Sequence, residues 1–432
     1  MSNFGDHPAG FFGDSSFYNG VATTSLRLDD GSAAHLHRTP AADSSDAARK
    51  KYTFSTWIKR ISLGTTQQIL AIGSGAGGAP WFFLYFTDAD KIQPYWYSTT
   101  SGNATNSSPL FAPVFRDTSA WYNIVLVVDT TDGTATDRFK LYINGVRAAV
   151  ETAGNALLQN FIGVLNSNIK HYIGSNANTE QYLDAYLAET IMVDGTAIGE
   201  TSGYLDEFGE LKNGVWIPKS TDDLTYGANG FRLQYTSQAH DAPASEGSAD
   251  TDNIGADSSG ENNHWTALDA IVTSDCAMPD SPENNFCTWN PLTIGAQGTL
   301  AEGNLKNTAF WASDLSGNAS TFFPESGKWY WELRIDGAST YPYIGITSQE
   351  KVNDTVNGGT FYNIAWRVNG TGVSSGSSLG TITKENIPSF ADNDIISFAL
   401  DVDARKLWVA ENNTYADSGD PANGSGENAS WT

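Results

Sequence analysis

Residues 121–146 read WYNIVLVVDTTDGTATDRFKLYINGV. The run from Ile124 to Val128 has the β-branched, apolar character of a buried strand. A polar turn rich in Thr and Asp follows, then a second strand ending at Ile143. Asn144-Gly145 comes next, and both residues tolerate positive φ, so the pair is a strong hairpin signal. Two strands and two tight reversals within so short a stretch predict an antiparallel sheet.

The same period of two recurs outward in both directions. In YTFSTWIK, Tyr52, Phe54 and Ile58 share a face. In WFFLYFTDADKIQPYWYS, residues 81–98, two aromatic strands flank Thr87-Asp88-Ala89-Asp90. In KWYWELRI, Trp329, Trp331, Leu333 and Ile335 share one face, with Lys328, Glu332 and Arg334 opposite. In DIISFALDVD the shared set is Ile396, Phe398, Leu400 and Val402. Side chains alternate across a strand, so each segment offers one apolar face to a core. That is the signature of antiparallel rather than parallel sheets. No long segment has a 3.6-residue period; short helices are expected only at 41–49 and 202–208. The fold class is all-β, with two antiparallel β-sandwiches and an irregular N-terminal arm.

A chain of 432 residues exceeds one ordinary core. Four regions are expected: an attachment arm at 1–24, a first sandwich at 25–235, a polar turn-rich linker at 236–292 and a second sandwich at 293–432. The linker ends on DSPENNFCTWNPL, residues 280–292, which has neither alternation nor helical period. The arm carries Phe4, Phe11, Phe12, Phe17 and Tyr18 among glycines, aromatics suited to packing on this chain or on a partner.

The formal charge is −25, from 24 Lys+Arg against 49 Asp+Glu. That argues against nucleic acid and anionic membranes as partners, since both are themselves negative. The first residues lack the basic and apolar regions of a secretory signal, and no run is long enough to span a membrane. Two cysteines are too few for a disulfide scaffold.

A family resemblance rests on specific residues. RDTSAWYNIVLVVDTTDGTATDRFKLYINGV, followed by HYIGSNANTEQYLDAYLAETIMVDG, resembles the laminin-G/concanavalin A-like jelly roll over about residues 25–195. GKWYWELRIDG, YPYIGIT, DIISFALDVDARKLWVAENNTY and SGDPANG resemble a SPRY domain. SPRY families continue past the point where this sequence stops, so the resemblance implies that the last strands are missing or supplied by another molecule. With the NNHW turn and the DSPENNF segment, the combination resembles tail-fibre and other virion-surface proteins of aquatic bacteriophages. That resemblance implies a homo-oligomer, a trimer foremost, located in the virion after assembly in the host cytoplasm. The arm would contact other virion proteins, and the sandwiches would present loops to a host-surface glycan. A capsid-decorating or head-fibre role and a glycan-degrading enzyme are the alternatives.

The residues themselves point to binding, with no catalytic residue assigned. Glycoside hydrolysis needs two carboxylates flanking the sugar bond. The nearest spacing, Asp401-Val402-Asp403, falls where a strand enters a turn. A Gly-x-Ser-x-Gly at 376–380 and a Gly-x-Gly-x-x-Gly at 73–78 lack the helix that each chemistry requires. His35 and His37 share a face and read as exposed residues rather than a metal site. No cofactor is required. Calcium is the metal that Asp129, Asp132 and Asp137 would suit, as carboxylates around one hairpin turn. Tyr95, Trp96 and Tyr97 have the composition of a glycan site, with rings for C–H faces and neighbouring amides for hydroxyls.

Overall fold

The computed structural model describes residues 17–73, 80–176, 180–201, 203–240, 252–268, 271–293, 299–308, 318–337, 343–348, 352, 363–374 and 380–432. They form two compact units, Met1–Phe286 and Cys287–Thr432. Phe4, Phe11, Phe12 and most of the two glycine motifs lie outside the described residues.

The first unit is built from β1 (Leu26–Leu28), β2 (Leu36–Arg38), β3 (Lys51–Arg60), β4 (Gln67–Ile72), β5 (Trp81–Phe86), β6 (Ile92–Ser98), β7 (Thr105–Ser107), β8 (Tyr122–Asp129), β9 (Phe139–Ile143), β10 (Val146–Arg147), β11 (His171–Ile173), β12 (Ala185–Asp194), β13 (Phe231–Leu233) and β14 (Thr266–Ala267). One sheet runs β1-β12-β3-β8-β9-β10, with β13 also on β12; the other runs β14-β2-β11-β4-β5-β6-β7. All these pairings are antiparallel. Their inner faces meet in one core, with Tyr52, Phe54, Ile124, Leu126 and Val128 from the first sheet and Leu70, Ile72, Phe82, Leu84 and Trp96 from the second. Asn144-Gly145 adopts φ of 48° and 75°, as the β9–β10 hairpin demands.

The central strand β8 is apolar on both faces for a structural reason. Ile124, Leu126 and Val128 enter the main core. Val125 and Val127 point outward and are covered by Leu205, Phe208 and Tyr226. The helix expected at 202–208 is absent among the described residues: burying Leu205 and Phe208 on that sheet replaces it. At 41–49 a single 3-10 turn forms, Ala48–Lys50.

The expected linker is largely part of the first unit. Ile254, Trp265, Ala267, Ile271 and Cys276 are core residues, and β14 extends the second sheet. Polar residues here answer buried charges. The Arg27 Nε donates to Asp275 Oδ1 at 2.7 Å. Buried Arg38 donates to Asn263, whose own Nδ2 donates to Gly230 O at 2.7 Å. In NNHW, therefore, Asn263 holds a guanidinium and Trp265 fills the core. The unit boundary lies between Phe286 and Cys287, inside DSPENNFCTWNPL rather than after it.

The second unit comprises β15 (Lys328–Arg334), β16 (Tyr343–Ile346), β17 (Ile364–Arg367), β18 (Gly372–Ser374), β19 (Ile382–Lys384), β20 (Ile395–Asp401), β21 (Lys406–Glu411), β22 (Thr414–Tyr415) and β23 (Ala429–Trp431). A sheet β15-β20-β21-β23-β19, with β22 on β21, packs on β16-β17-β18. Trp366 and Ile364 from the small sheet meet Phe398, Leu400 and Val409 from the large one. The last strand, β23, sits between β21 and β19. Among the described residues no helix is long and apolar enough to cross a membrane.

Candidate functional site

Period two sends half of each strand to the core and leaves the other half on the open face. In β5 the core half is Phe82, Leu84 and Phe86, and the open half is Trp81, Phe83 and Tyr85. In β6, Trp96 is only 1 % exposed, and its Nε1 donates to the Tyr52 hydroxyl at 2.8 Å. Tyr95 and Tyr97 lie on the open face. The expected trio is thus split: Trp96 is a core residue with no ring face to offer a ligand.

Register aligns the open-face residues into tiers. Trp81 is opposite Tyr97, Phe83 opposite Tyr95, and Tyr85 opposite Gln93. The middle tier continues through Ala71 to Tyr172 and His37. Trp81 stacks on Phe83 with centroids 4.6 Å apart and on Tyr97 at 5.0 Å, and meets the Tyr95 ring edge-on at 4.3 Å. The Tyr85 hydroxyl donates to Gln93 Oε1 at 2.7 Å. A depression of ≈ 300 Å³ opens here, lined by Thr66, Gln68, Trp81, Phe83, Tyr85, Tyr95 and Gln181. None of these carries a charge. Gln68 Nε2 donates to Gln181 Oε1 at 2.8 Å. Burial pushes the Tyr85 phenol up, so it remains a neutral hydrogen-bonding group.

Trp81, Phe83 and Tyr85 are not among the residues that sequence reasoning singles out. Alternation shows that a strand has two faces but not which one is open. The available signal was that WFFLYF is aromatic on both faces, more than one core requires.

His35 and His37 do share a face, with ring centroids 6.3 Å apart. Yet His35 is 2 % exposed, and burial lowers its pKa. The three turn aspartates do not converge; each is engaged separately. Asp129 pairs with Lys51 at 3.0 Å and accepts from Thr131, Asp132 accepts from the Thr134 N–H at 2.7 Å, and Asp137 pairs with Arg147 at 2.8 Å. The carboxylates that do meet among the described residues are Asp29, Asp30 and Asp184, with oxygens within 4.8 Å of one another. Burial and the neighbouring Asp30 push Asp184 up to about 7. The Asp29 Oδ1 already accepts from the Gly31 N–H at 2.8 Å. Asp401 and Asp403 accept backbone N–H groups of Ala404 and Gly327, as turn residues do.

Of the arm, Phe17 and Tyr18 meet edge to face at 5.0 Å, and the Lys212 ammonium lies 5.6 Å from the Phe17 ring centroid. Asn19 donates to Glu210 at 2.7 Å, and Glu283 accepts the N–H groups of Gly20 and Val21. Both described arm aromatics therefore lie by their own unit. Cys276 and Cys287 are free thiols.

Residues 30–208 match the family described as the concanavalin A-like lectin/glucanases superfamily. A pentraxin of Limulus polyphemus is 14 % identical, with 42 % of this chain and 80 % of that chain covered and a TM-score of 0.28. A Bacteroides ovatus protein described as carbohydrate-binding is 14 % identical, with coverages of 58 % and 61 % and a TM-score of 0.34. The CBM40 of a Ruminococcus gnavus IT-sialidase is 14 % identical, with coverages of 41 % and 92 % and a TM-score of 0.27. At these scores none of them bears on what this chain binds. No curated protein matches the sequence. The segment 30–208, with its two facing antiparallel sheets, has the concanavalin A-like jelly-roll fold.

Proposed function

We propose that this chain is a bacteriophage virion-surface protein, a tail fibre or adhesin, that holds a host-surface glycan on the open aromatic face of its first sandwich. The observation that carries the glycan reading is the platform of Trp81, Phe83, Tyr85, Tyr95 and Tyr97 on a sheet whose other face is core. Sugars present flat C–H faces that stack on such rings, and Gln68, Gln93 and Gln181 beside them suit hydroxyl groups. The site is one of binding: the residues lining the depression include no carboxylate, and hydrolysis would need two. The virion assignment is supported by the resemblance of the segments quoted above, NNHW and DSPENNF among them, to tail-fibre and other virion-surface proteins. A homotrimer would raise weak single-site affinity by multivalency.

The test is a glycan array with purified protein, in calcium and in EDTA, with product analysis of each hit. Retention of an intact glycan in both conditions, lost in Trp81→Ala, is expected. Cleaved product would overturn the binding-only reading. No retention by an intact oligomer would favour a structural, capsid-decorating role.

A further inference from the structure

The segment DSPENNF folds around one buried ammonium group. Lys59, on β3, has a side chain only 1 % exposed, and its partner Asp280 is equally buried. The Lys59 Nζ lies 2.8 Å from Asp280 Oδ2, 2.9 Å from Asn285 Oδ1 and 2.8 Å from Phe286 O. Asp280 Oδ1 accepts from the Trp121 indole N–H at 3.1 Å and from the Phe286 N–H at 3.3 Å. We propose that Lys59 and Asn285 join in an intramolecular isopeptide bond, with Asp280 as the acid–base group.

Three features of the geometry support this. An amine touching a carboxamide oxygen sits beside the carbonyl carbon it would attack, and fixed proximity of this kind replaces a bimolecular encounter. Nucleophile and carboxylate are both shielded from water, which disfavours the separated charges; burial correspondingly raises the Asp280 pKa, so a proton passes from Nζ to Oδ2 at reduced cost. The Asn285 side chain is at the surface, where its Nδ2 donates to Ser119 O at 2.7 Å, so a leaving group has a path to solvent.

The step balances without any co-reactant. Asp280 takes a proton from the Lys59 ammonium. The freed Nζ lone pair attacks Cγ of Asn285, and the Cγ–Nζ bond forms. Asp280 returns its proton to Nδ2, the Cγ–Nδ2 bond breaks, and ammonia leaves, carrying away the second Nζ proton as ammonium. Asp280 ends as a carboxylate held by Trp121, Phe286 and the new amide N–H. The product ties β3 covalently to the segment that closes the unit, and such a cross-link restricts the unfolded chain.

Intact-mass measurement of the purified full chain decides the matter. The expected result is about 17 Da below the sequence mass, the loss of one ammonia in this condensation. Peptide mapping should show residues 59 and 285 in one cross-linked fragment, because a succinimide at an Asn-Gly pair would give the same loss without a cross-link. Asp280→Asn should return the full mass while keeping the β circular-dichroism spectrum. An unmodified wild-type mass overturns the proposal, as does a loss mapped to any other site, including loss of water at Asp280. A cross-link that persists in Asp280→Asn would remove the acid–base role.

Discussion

Neighbouring aromatics have opposite jobs here. Trp96 and Tyr97 are adjacent in sequence, yet one fills the core and the other faces outward. Trp96→Ala should destabilise the first unit by about 3–5 kcal/mol, the cost of deleting a buried indole, measured by denaturant unfolding. Trp81→Ala, on the open face, should cost less than a third of that. It should instead weaken glycan binding about 30-fold by calorimetry, as loss of a central ring contact worth ~2 kcal/mol does. Asp184 offers a pH test. Its folded pKa is about 7, above the ordinary 3.8, so the fold binds this proton more tightly than the unfolded chain. The stability Asp184 contributes is full below the unfolded value and is lost as pH rises through about 7. Asp184→Asn should therefore be more stable than wild type at pH 8, by on the order of 2 kcal/mol, with the gap closing towards pH 4. Thermal melts of both proteins across that range check the sign. Sequence marks the aromatic run but not which of its rings is buried, nor that Asp184 is, because burial depends on residues far along the chain.

At the scale of elements, strand identity was legible and strand environment was not. The alternation in YTFSTWIK and the Asn144-Gly145 turn mark β3 and the β9–β10 hairpin from local chemistry alone. Gly145 has a second duty. Its φ is 75°, and a Cβ there would overlap the Trp216 indole. Gly145→Ala should lower stability by roughly 1–3 kcal/mol, combining backbone strain with the clash, and the denaturant midpoint should fall without a change in slope. The turn Thr87-Asp88-Ala89-Asp90 shows the same layering. Its position follows from sequence, but Asp90 is 2 % exposed and accepts from Arg60 and Arg116 at 2.9 Å each. The turn is therefore tied to β3, which no local pattern reveals.

Across the whole molecule, the clearest departure is the segment after residue 235. Its small polar residues read as a spacer, but their amides and carboxylates answer cations held inside the first unit. A fragment of residues 1–286 should melt cooperatively. One ending at 235 should not, since it strips Ile254, Trp265 and Ile271 from the core and leaves Arg27, Arg38 and Lys59 without Asp275, Asn263 and Asp280. A buried charge that loses its partner costs ~3–5 kcal/mol each, enough to exceed the stability of an ordinary domain. Calorimetry of the two fragments checks this.

The sequence by itself determined the all-β class, the antiparallel pairing and the turns, because period-two alternation and Asn-Gly chemistry act over a few residues. Only the tertiary structure decided which aromatic face stays open, which acids meet and where the first unit ends. Those outcomes depend on what covers each surface and on which distant side chain reaches each charge. Short-range pattern carries no information on either.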